Sequence, residues 1–310
     1  MSVCTCNVSL SNTGRPGCFP VEGVAFKLIL VAMQQSDGTA NEIDLENDTL
    51  DASYISGLIN NSDDNARWFP IGNFKNVVIE RADPITQEFD DGSVFKIRDG
   101  VKSFAGVIPK QTSDLKRKLD SWSCTTFGAY IITKDGQLIG DGGTAGKLKP
   151  IKIESGSFDA RYVHTTDTTV PQLQLNFQWV TDFSDANLRM LEASDWTSGD
   201  LTTVSGLIDL FYDIAASPAP TATGFTVDIT TDYGSVKSRE GIGGLDLVTD
   251  FDVVGSTSGT TAIATATEDS SVQGRYAITF TTLTGQAVYV QKKSATLGYN
   301  DFETETVTLP

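Results

Sequence analysis

A single histidine, His164, carries all the imidazole chemistry open to this chain of 310 residues. It ends a strand-like segment, beside Thr165, Thr166 and Asp167. A serine nucleophile would need a Gly-x-Ser-x-Gly elbow to present its hydroxyl to such a base. The nearest pattern, Gly255-Ser256-Thr257-Ser258-Gly259, has threonine at its centre and reads as a loop. His164 is therefore expected at a surface or strand edge rather than in a catalytic relay.

The four cysteines offer soft metal ligands, and three of them, Cys4, Cys6 and Cys18, crowd the N-terminus. Zinc sites are usually built from Cys-x2-4-Cys pairs completed by further Cys or His. Here the pair Cys4/Cys6 is one residue apart, and Cys124 or His164 would have to complete the set. Small unpaired thiols of a protein assembled in a reducing compartment are the simpler expectation. Gly241-Ile242-Gly243-Gly244 resembles half of a dinucleotide loop, but a strand pattern follows it. Without a helix N-terminus there is no dipole to hold a pyrophosphate, so a glycine-rich turn is expected. The carboxylate pairs Asp63/Asp64, Asp90/Asp91 and Asp250/Asp252 have neither EF-hand spacing nor any sign of facing one another across a cleft. Lys116-Arg117-Lys118 is the one compact basic run, and an ion-pairing contact to a neighbouring subunit is expected of it. No residue is assigned a catalytic, cofactor-binding or metal-binding role, and no cofactor is expected.

These residues need a scaffold, and the patterning predicts strands. Residues up to Pro20 are rich in turn formers and read as an extended arm. A buried strand over Val24–Met33 follows, then a polar loop and a short helix capped by Asp48 or Thr49, with Leu50, Tyr54, Ile55, Leu58 and Ile59 on one face. Strands are expected at Val77–Glu80, at Val94–Arg98 after an Asp90-Asp91-Gly92 hairpin turn, and at Lys102–Ile108. Thr112 or Ser113 caps a second helix with Leu115, Leu119 and Trp122 along one stripe. Phe127–Thr133 and Gln137–Ile139 flank the turn Lys134-Asp135-Gly136, and further strands are expected at Ile151–Glu154 and Asp159–His164. From Gln172 to Val180, Leu173, Leu175, Phe177 and Trp179 alternate with Gln172, Gln174, Asn176 and Gln178, giving one apolar face and one uncharged amide face. A short helix is predicted from Ser184, with Leu188 and Leu191 inward, and Asp195–Asp200 reads as a linker.

Beyond the linker, 201–310 reads as a second domain. Strands are expected at Leu207–Ile214, around Phe225–Thr230, and at Leu245–Val254, Gly274–Thr281, Gln286–Gln291 and Phe302–Leu309, separated by turn residues. Short strands at this spacing predict an immunoglobulin-like β-sandwich. The segment has no Cys, His or Trp, which excludes a disulfide-pinned antibody-type domain. The chain as a whole is expected to be mainly β: 1–200 a β-sandwich or barrel with a flanking helix, 201–310 the immunoglobulin-like sandwich.

Charge narrows the function classes. The formal net charge is −17, and 201–310 alone carries 13 acidic and 5 basic side chains. Direct binding to nucleic-acid phosphates needs clustered Lys and Arg, so it is disfavoured. The apolar run Leu28–Met33 is too short to span a bilayer, and no basic region precedes an apolar stretch at the N-terminus, so neither membrane nor secretory signal is expected.

A helix-bearing β domain with an N-terminal arm and an immunoglobulin-like appendage resembles the tail tube (major tail) proteins of bacterial viruses. The residues that carry the resemblance are the helix Ser113–Trp122, the strand Gln172–Val180 and the closing run Lys293-Ser294-Ala295-Thr296-Leu297-Gly298-Tyr299. The resemblance implies a non-enzymatic virion protein that self-assembles into stacked rings, commonly hexamers, together with other tail proteins. DNA would pass through the lumen at ejection without specific binding, past a neutral to acidic wall such as Gln172–Gln178. The arm Ser2–Pro20 would order against a neighbouring ring, the outer domain would decorate the tube, and the protein would be assembled in the host cytoplasm. The alternative expectation is a capsid decoration or adhesion protein that binds a surface glycan or protein through the C-terminal domain.

Overall fold

The computed structural model describes residues 20–235, 237–293 and 298–310. In the first part of the chain the elements run β1 (Ala25–Ala32), β2 (Ile43–Asp44), α1 (Ala52–Ile59), β3 (Phe69–Gly72), β4 (Lys75–Arg81), β5 (Ile85–Glu88), β6 (Val94–Arg98), β7 (Lys102–Pro109) and α2 (Ser113–Asp120). They continue with β8 (Phe127–Thr133), β9 (Leu138–Asp141), β10 (Lys147–Leu148), β11 (Ile151–Lys152), β12 (Asp159–Val163), β13 (Gln172–Gln178) and β14 (Leu188–Leu191). The second part holds β15 (Ile208–Ile214), β16 (Gly224–Ser235), β17 (Ser238–Gly241), α3 (Leu247–Asp250), β18 (Phe251–Gly255), β19 (Gly259–Glu268), β20 (Arg275–Phe280), β21 (Ala287–Lys292), β22 (Tyr299–Thr304) and β23 (Val307–Thr308). The fold is mainly β, and no helix among the described residues is long and apolar enough to cross a membrane.

Two sheets form the first sandwich. One has the order β14-β9-β8-β1-β3 with β11 also paired to β8; the other has the order β12-β13-β7-β4. Strand alternation explains how they meet. Phe104 and Ile108 of β7 and Leu173, Leu175 and Phe177 of β13 point inward and are buried. They meet Leu28, Leu30, Ala129 and Ile131 from the facing sheet. A chain of aromatic contacts, Phe69–Trp122–Phe127–Phe158–Phe177–Phe104, crosses this core, with centroids 4.8 to 6.1 Å apart. Each fully buried side chain of this size contributes about 1.5–3 kcal/mol over its exposed state.

β1 and β8 are buried on both faces, because α1 and the chain around Trp68, Trp196 and Leu201 cover the outer side of their sheet. Their unbroken apolar sequences follow from that two-sided burial. α2 places Leu119 in the sandwich core with Leu115 packed beside it, as the stripe predicts.

The second part is one continuous sheet, β22-β15-β16-β20-β19-β18-β21-β23 with β17 on β16, folded over on itself. β19 makes the corner. Its first residues pair with β18 and, past an irregularity between Ile263 and Thr265, its later ones pair with β20. Phe225, Val227, Ile229, Phe251, Val253, Ile278 and Val290 fill the space inside.

Several expectations are corrected by packing. Asp51, rather than Asp48 or Thr49, caps α1, its carboxylate accepting from the Tyr54 amide at 2.8 Å. Asp48 instead accepts from the Tyr54 hydroxyl at 2.7 Å. The helix expected from Ser184 is a single 3-10 turn, Asp185–Asn187, followed by strand β14 paired to β9, because the sheet edge offers more hydrogen bonds than a short isolated helix. The strand expected over Leu245–Val254 starts only at Phe251, after the helical turn α3 capped by Asp246. The segment expected as a linker at 195–200 is packed down. Trp196 and Leu201 are buried with the first sandwich, and Val204 and Leu207 pack on the same cluster. The buried Lys27 side chain ties the segment further by donating to the Val204 carbonyl at 2.6 Å.

Candidate functional site

The residues with chemical potential do not converge. His164 is exposed, with its ring edge-on to Tyr162 at 5.0 Å. Gly255–Gly259 is the β18–β19 turn, where the Gln286 side chain accepts from the amides of Thr257 and Ser258. Gly241 ends β17, and past it the Gly244 amide donates to Glu268 at 2.9 Å; the four-residue helical turn α3, not the expected strand, follows the glycines. The carboxylate pairs split. Asp63 accepts from Ser36 while Asp64 faces Arg67 at 2.9 Å; Asp91 accepts from Ser93; Asp252 lies 3.6 Å from Lys293. Cys4, Cys6 and Cys18 lie outside the described residues, as do the arm up to residue 19 and 294–297 of the closing run. Among the described residues no group of three or more His, Cys, Asp or Glu could hold a metal ion.

The basic run is engaged inside the chain, and this corrects the expectation of a contact to another subunit. Lys118 of α2 reaches across to the second sandwich, 2.8 Å from Asp209 of β15 and 3.1 Å from Asp232 of β16. Its ammonium lies 5.2 Å from the Tyr233 ring centre, and Arg117 adds a contact to Asp232 at 3.2 Å. Lys116 pairs with Asp120 one helical turn along. Burial works against the Lys118 charge, but the hydrogen bonds and charges of the two aspartates outweigh it and raise its pKa. The helix thus clasps the C-terminal sandwich to the first.

Three features of the surface have no counterpart among the described residues. The first is the outer face of the sheet β12-β13-β7-β4. Its register sets Asp159, Asn176, Ala105 and Val78 in one row, Arg161, Gln174, Val107 and Lys75 in the next, and Glu80 beside Ser103. Gln178 opposes Ser103, and Gln172 opposes Pro109. The two central strands therefore present amides and small side chains without charge. On β12, Arg161 and Asp159 neutralise each other at 2.5 Å. Among the described residues both β12 and β4 have a strand partner on one side only.

The second feature is the hairpin β5–β6. Among the described residues its strands pair only with each other, and every residue in them is exposed. Phe95 is 64% exposed, Val94 63% and Ile97 56%, with Ile85 and Phe89 also bare. Isolated two-stranded hairpins are marginal in water, so this one is incomplete as it stands. Its base is held firmly. Arg81 donates to the Gly100 carbonyl at 2.7 Å and to Phe183 O at 2.8 Å, and with Lys102 it ion-pairs Asp185. Gly100 runs so close to the Ala82 carbonyl that a Cβ there would lie 1.8 Å from it.

The third feature is a cleft of about 510 Å³ where the sandwiches meet, adjoining a second hollow of about 550 Å³. Phe69, Trp122, Leu115, Leu207, Ile208 and Phe302 line it. Phe302 is 64% exposed, its inner side against Phe211 at 5.0 Å. Asp64, Asp209 and Asp301 stand at the adjoining hollow with Arg67.

The sequence showed the amide face of β13 and the turn of the β5–β6 hairpin. It did not show that the hairpin would be left uncovered. Phe95-Lys96-Ile97-Arg98 alternates as a half-buried strand would, so the residues carried no signal of that exposure. The cleft was invisible, since its walls come from β3, α2, β15 and β22.

No protein-family model matches the chain, and no curated protein sequence matches it.

Proposed function

We propose that this chain is the structural subunit of a tail tube of a bacterial virus, self-assembling into stacked rings through which DNA passes. The observation that carries the reading is the four-stranded sheet β12-β13-β7-β4, whose two central strands show an uncharged amide face and whose terminal strands each have one strand partner among the described residues. Setting the β4 side of one copy beside the β12 side of the next is a heterologous contact, which closes into a ring when the rotation allows. A hexamer of such sheets has about 24 strands and, with ordinary strand spacing and tilt, is roughly 45–50 Å across between backbones, wide enough for a DNA duplex.

The middle of the inner wall then consists of Gln172, Gln174, Asn176 and Gln178 with Ser103, Ala105 and Val107 beside them, flanked by the opposite charges Asp159 and Arg161 on β12 and Lys75 and Glu80 on β4. Such a wall suits passage. Lysines there would take up phosphates with release of counterions and slow the moving duplex. The net charge of −17 keeps the remaining surface off nucleic acid as well. The second sandwich, clasped by Lys118, belongs to the decoration of the tube in this reading.

Negative-stain electron microscopy of the purified full chain tests it: rings or tubes with a central bore are expected. A protein that sediments as a monomer at every concentration overturns it. Replacing Gln174 and Asn176 by lysine should preserve the rings and make them retain duplex DNA at low salt. Rings that ignore DNA in both forms would show that this face does not line the bore.

A further inference from the structure

We infer that the C-terminal sandwich is a hinged appendage whose docked position is locked by the clasp of α2. When Lys118 releases Asp209 and Asp232, 208–310 turns away from the first sandwich about Leu207–Ile208 and the junction cleft opens. This device is independent of the tube reading.

Among the described residues, the ion pairs and hydrogen bonds that cross from 20–200 to 208–310 start from Arg117 and Lys118 and end on Asp209 and Asp232. The other charged groups at the junction are held within their own part. Arg67 pairs with Asp64 at 2.9 Å and donates to the Asn61 carbonyl at 2.8 Å. Asp301 accepts from the Tyr212 hydroxyl and from the Lys292 amide.

Apolar packing does not bridge the joint either. The cluster over β1 and β8 takes in the chain only as far as Leu207, and the core of the second sandwich starts at Leu210. Ile208, between them, is 41% exposed in the cleft, and Phe302 packs back on Phe211 of its own sandwich. Hollows of about 510 and 550 Å³ lie between the two walls. A joint this open and polar leaves domains free to move. Net charge favours separation too: 1–200 carries 27 acidic and 18 basic side chains, and 201–310 carries 13 and 5.

The pivot follows from what is tied down on either side of it. Leu201, Val204 and Leu207 stay on the first sandwich, with the Val204 carbonyl held by Lys27. Ile208 already belongs to β15. Hinges of this kind need only a few residues at the end of an element. A partly exposed ion pair shifts such an equilibrium by roughly 1.5- to 5-fold, so the lock is weak enough to open.

Acrylamide quenching of tryptophan fluorescence in the full chain reads the joint. Of the four tryptophans, Trp68, Trp179 and Trp196 are buried, whereas Trp122 is half-buried and lines the cleft. Lys118→Met is expected to raise the quenching, and Lys118→Arg to keep it near wild type. Asp232→Asn removes its contacts from the far sandwich and leaves α2 beside Trp122 intact. It should raise the quenching as well, through an opening of roughly 1.5- to 5-fold for each ion pair lost. The double variant Lys118→Met/Asp232→Asn should exceed Lys118→Met only by the share of Arg117. Circular dichroism and thermal unfolding confirm that each variant is folded. Equal quenching in wild type, Lys118→Met and Asp232→Asn overturns the inference. A rise in Lys118→Met that Asp232→Asn does not share also overturns it, because the effect is then local to α2. Either result leaves the tube reading, tested by the images of rings, as it stands.

Discussion

Two hairpins of the first sandwich share the same local chemistry and have opposite fates. β5–β6 turns at Asp90-Asp91-Gly92 and β8–β9 at Lys134-Asp135-Gly136, with Gly92 and Gly136 both at positive φ, 77° and 81°. Every residue of β8 is buried, while every residue of β5 and β6 is exposed. An aspartate–glycine turn sets a hairpin because glycine enters the left-handed region freely. It says nothing about what will cover the strands. β8 has partners on both edges and packing on both faces, whereas the apolar side chains of β6 have no packing partner among the described residues.

That contrast predicts unequal responses to the same change. Ile131→Ala in β8 should cost about 2–5 kcal/mol, the range for emptying a packed core site. Ile97→Ala in β6 should stay within about 0.5 kcal/mol for the isolated chain. Urea unfolding of the two variants at a concentration too low for assembly measures the difference. Equal losses would mean that the hairpin packs within its own subunit after all.

The turns themselves give a smaller effect. Gly136→Val and Gly92→Val each force a β-branched residue to positive φ, a cost of about 1–2 kcal/mol. At Gly136 the added Cβ also comes within 3.2 Å of Ala193, whereas Gly92 has open space around it. The penalty at Gly136 is expected in global unfolding. The penalty at Gly92 is expected only in local hydrogen exchange of the hairpin, because its opening exposes no core. A global loss from Gly92→Val contradicts the comparison.

The smallest effect lies at the hairpin base. A hydrogen bond from Arg81, set against a burial penalty and aided by Lys102, holds the Asp185 carboxyl below its ordinary value. A carboxylate whose folded pKa is depressed contributes stability that is present above its unfolded pKa and is lost as pH falls through the folded one. Asp185→Asn should therefore cost about 0.5–1 kcal/mol at neutral pH, as for a partly exposed pair. The gap between variant and wild type should close below about pH 4, near the ordinary aspartate value. A gap that persists at pH 2 assigns the effect to packing instead of charge. Stability measured against pH for both proteins distinguishes the two.

Much of the fold was legible because it rests on short-range patterns. The alternation in Gln172–Gln178, the all-apolar β1 and β8, and the stripe of α2 each state a burial geometry through side-chain period alone. Legibility ended where a segment had two local options. Leu188–Leu191 reads equally well as a helix end or a strand, and the free edge of β9 decided for the strand. Leu245–Asp250 has the apolar content of a strand, but the Asp246 cap turned its later part into a helical turn. Trp196 and Leu201 lay in a polar, turn-rich stretch, and only the uncovered outer face of β1 and β8 made them core residues.

Of the candidate assembly surfaces, the sequence by itself determined the uncharged amide face of β13, because strand period puts Gln172, Gln174, Asn176 and Gln178 on one side whatever surrounds them. It also determined the tip of the β5–β6 hairpin, through a turn that glycine adopts at little cost. The tertiary structure decided that Lys118 is drawn to Asp209 and Asp232 of its own chain, and that a cleft opens beside them. The physical reason is range. Backbone sterics and side-chain period act over a few residues, while burial, ion pairing and clefts depend on which distant segments meet, and Lys118 and Asp209 stand 91 residues apart along the chain.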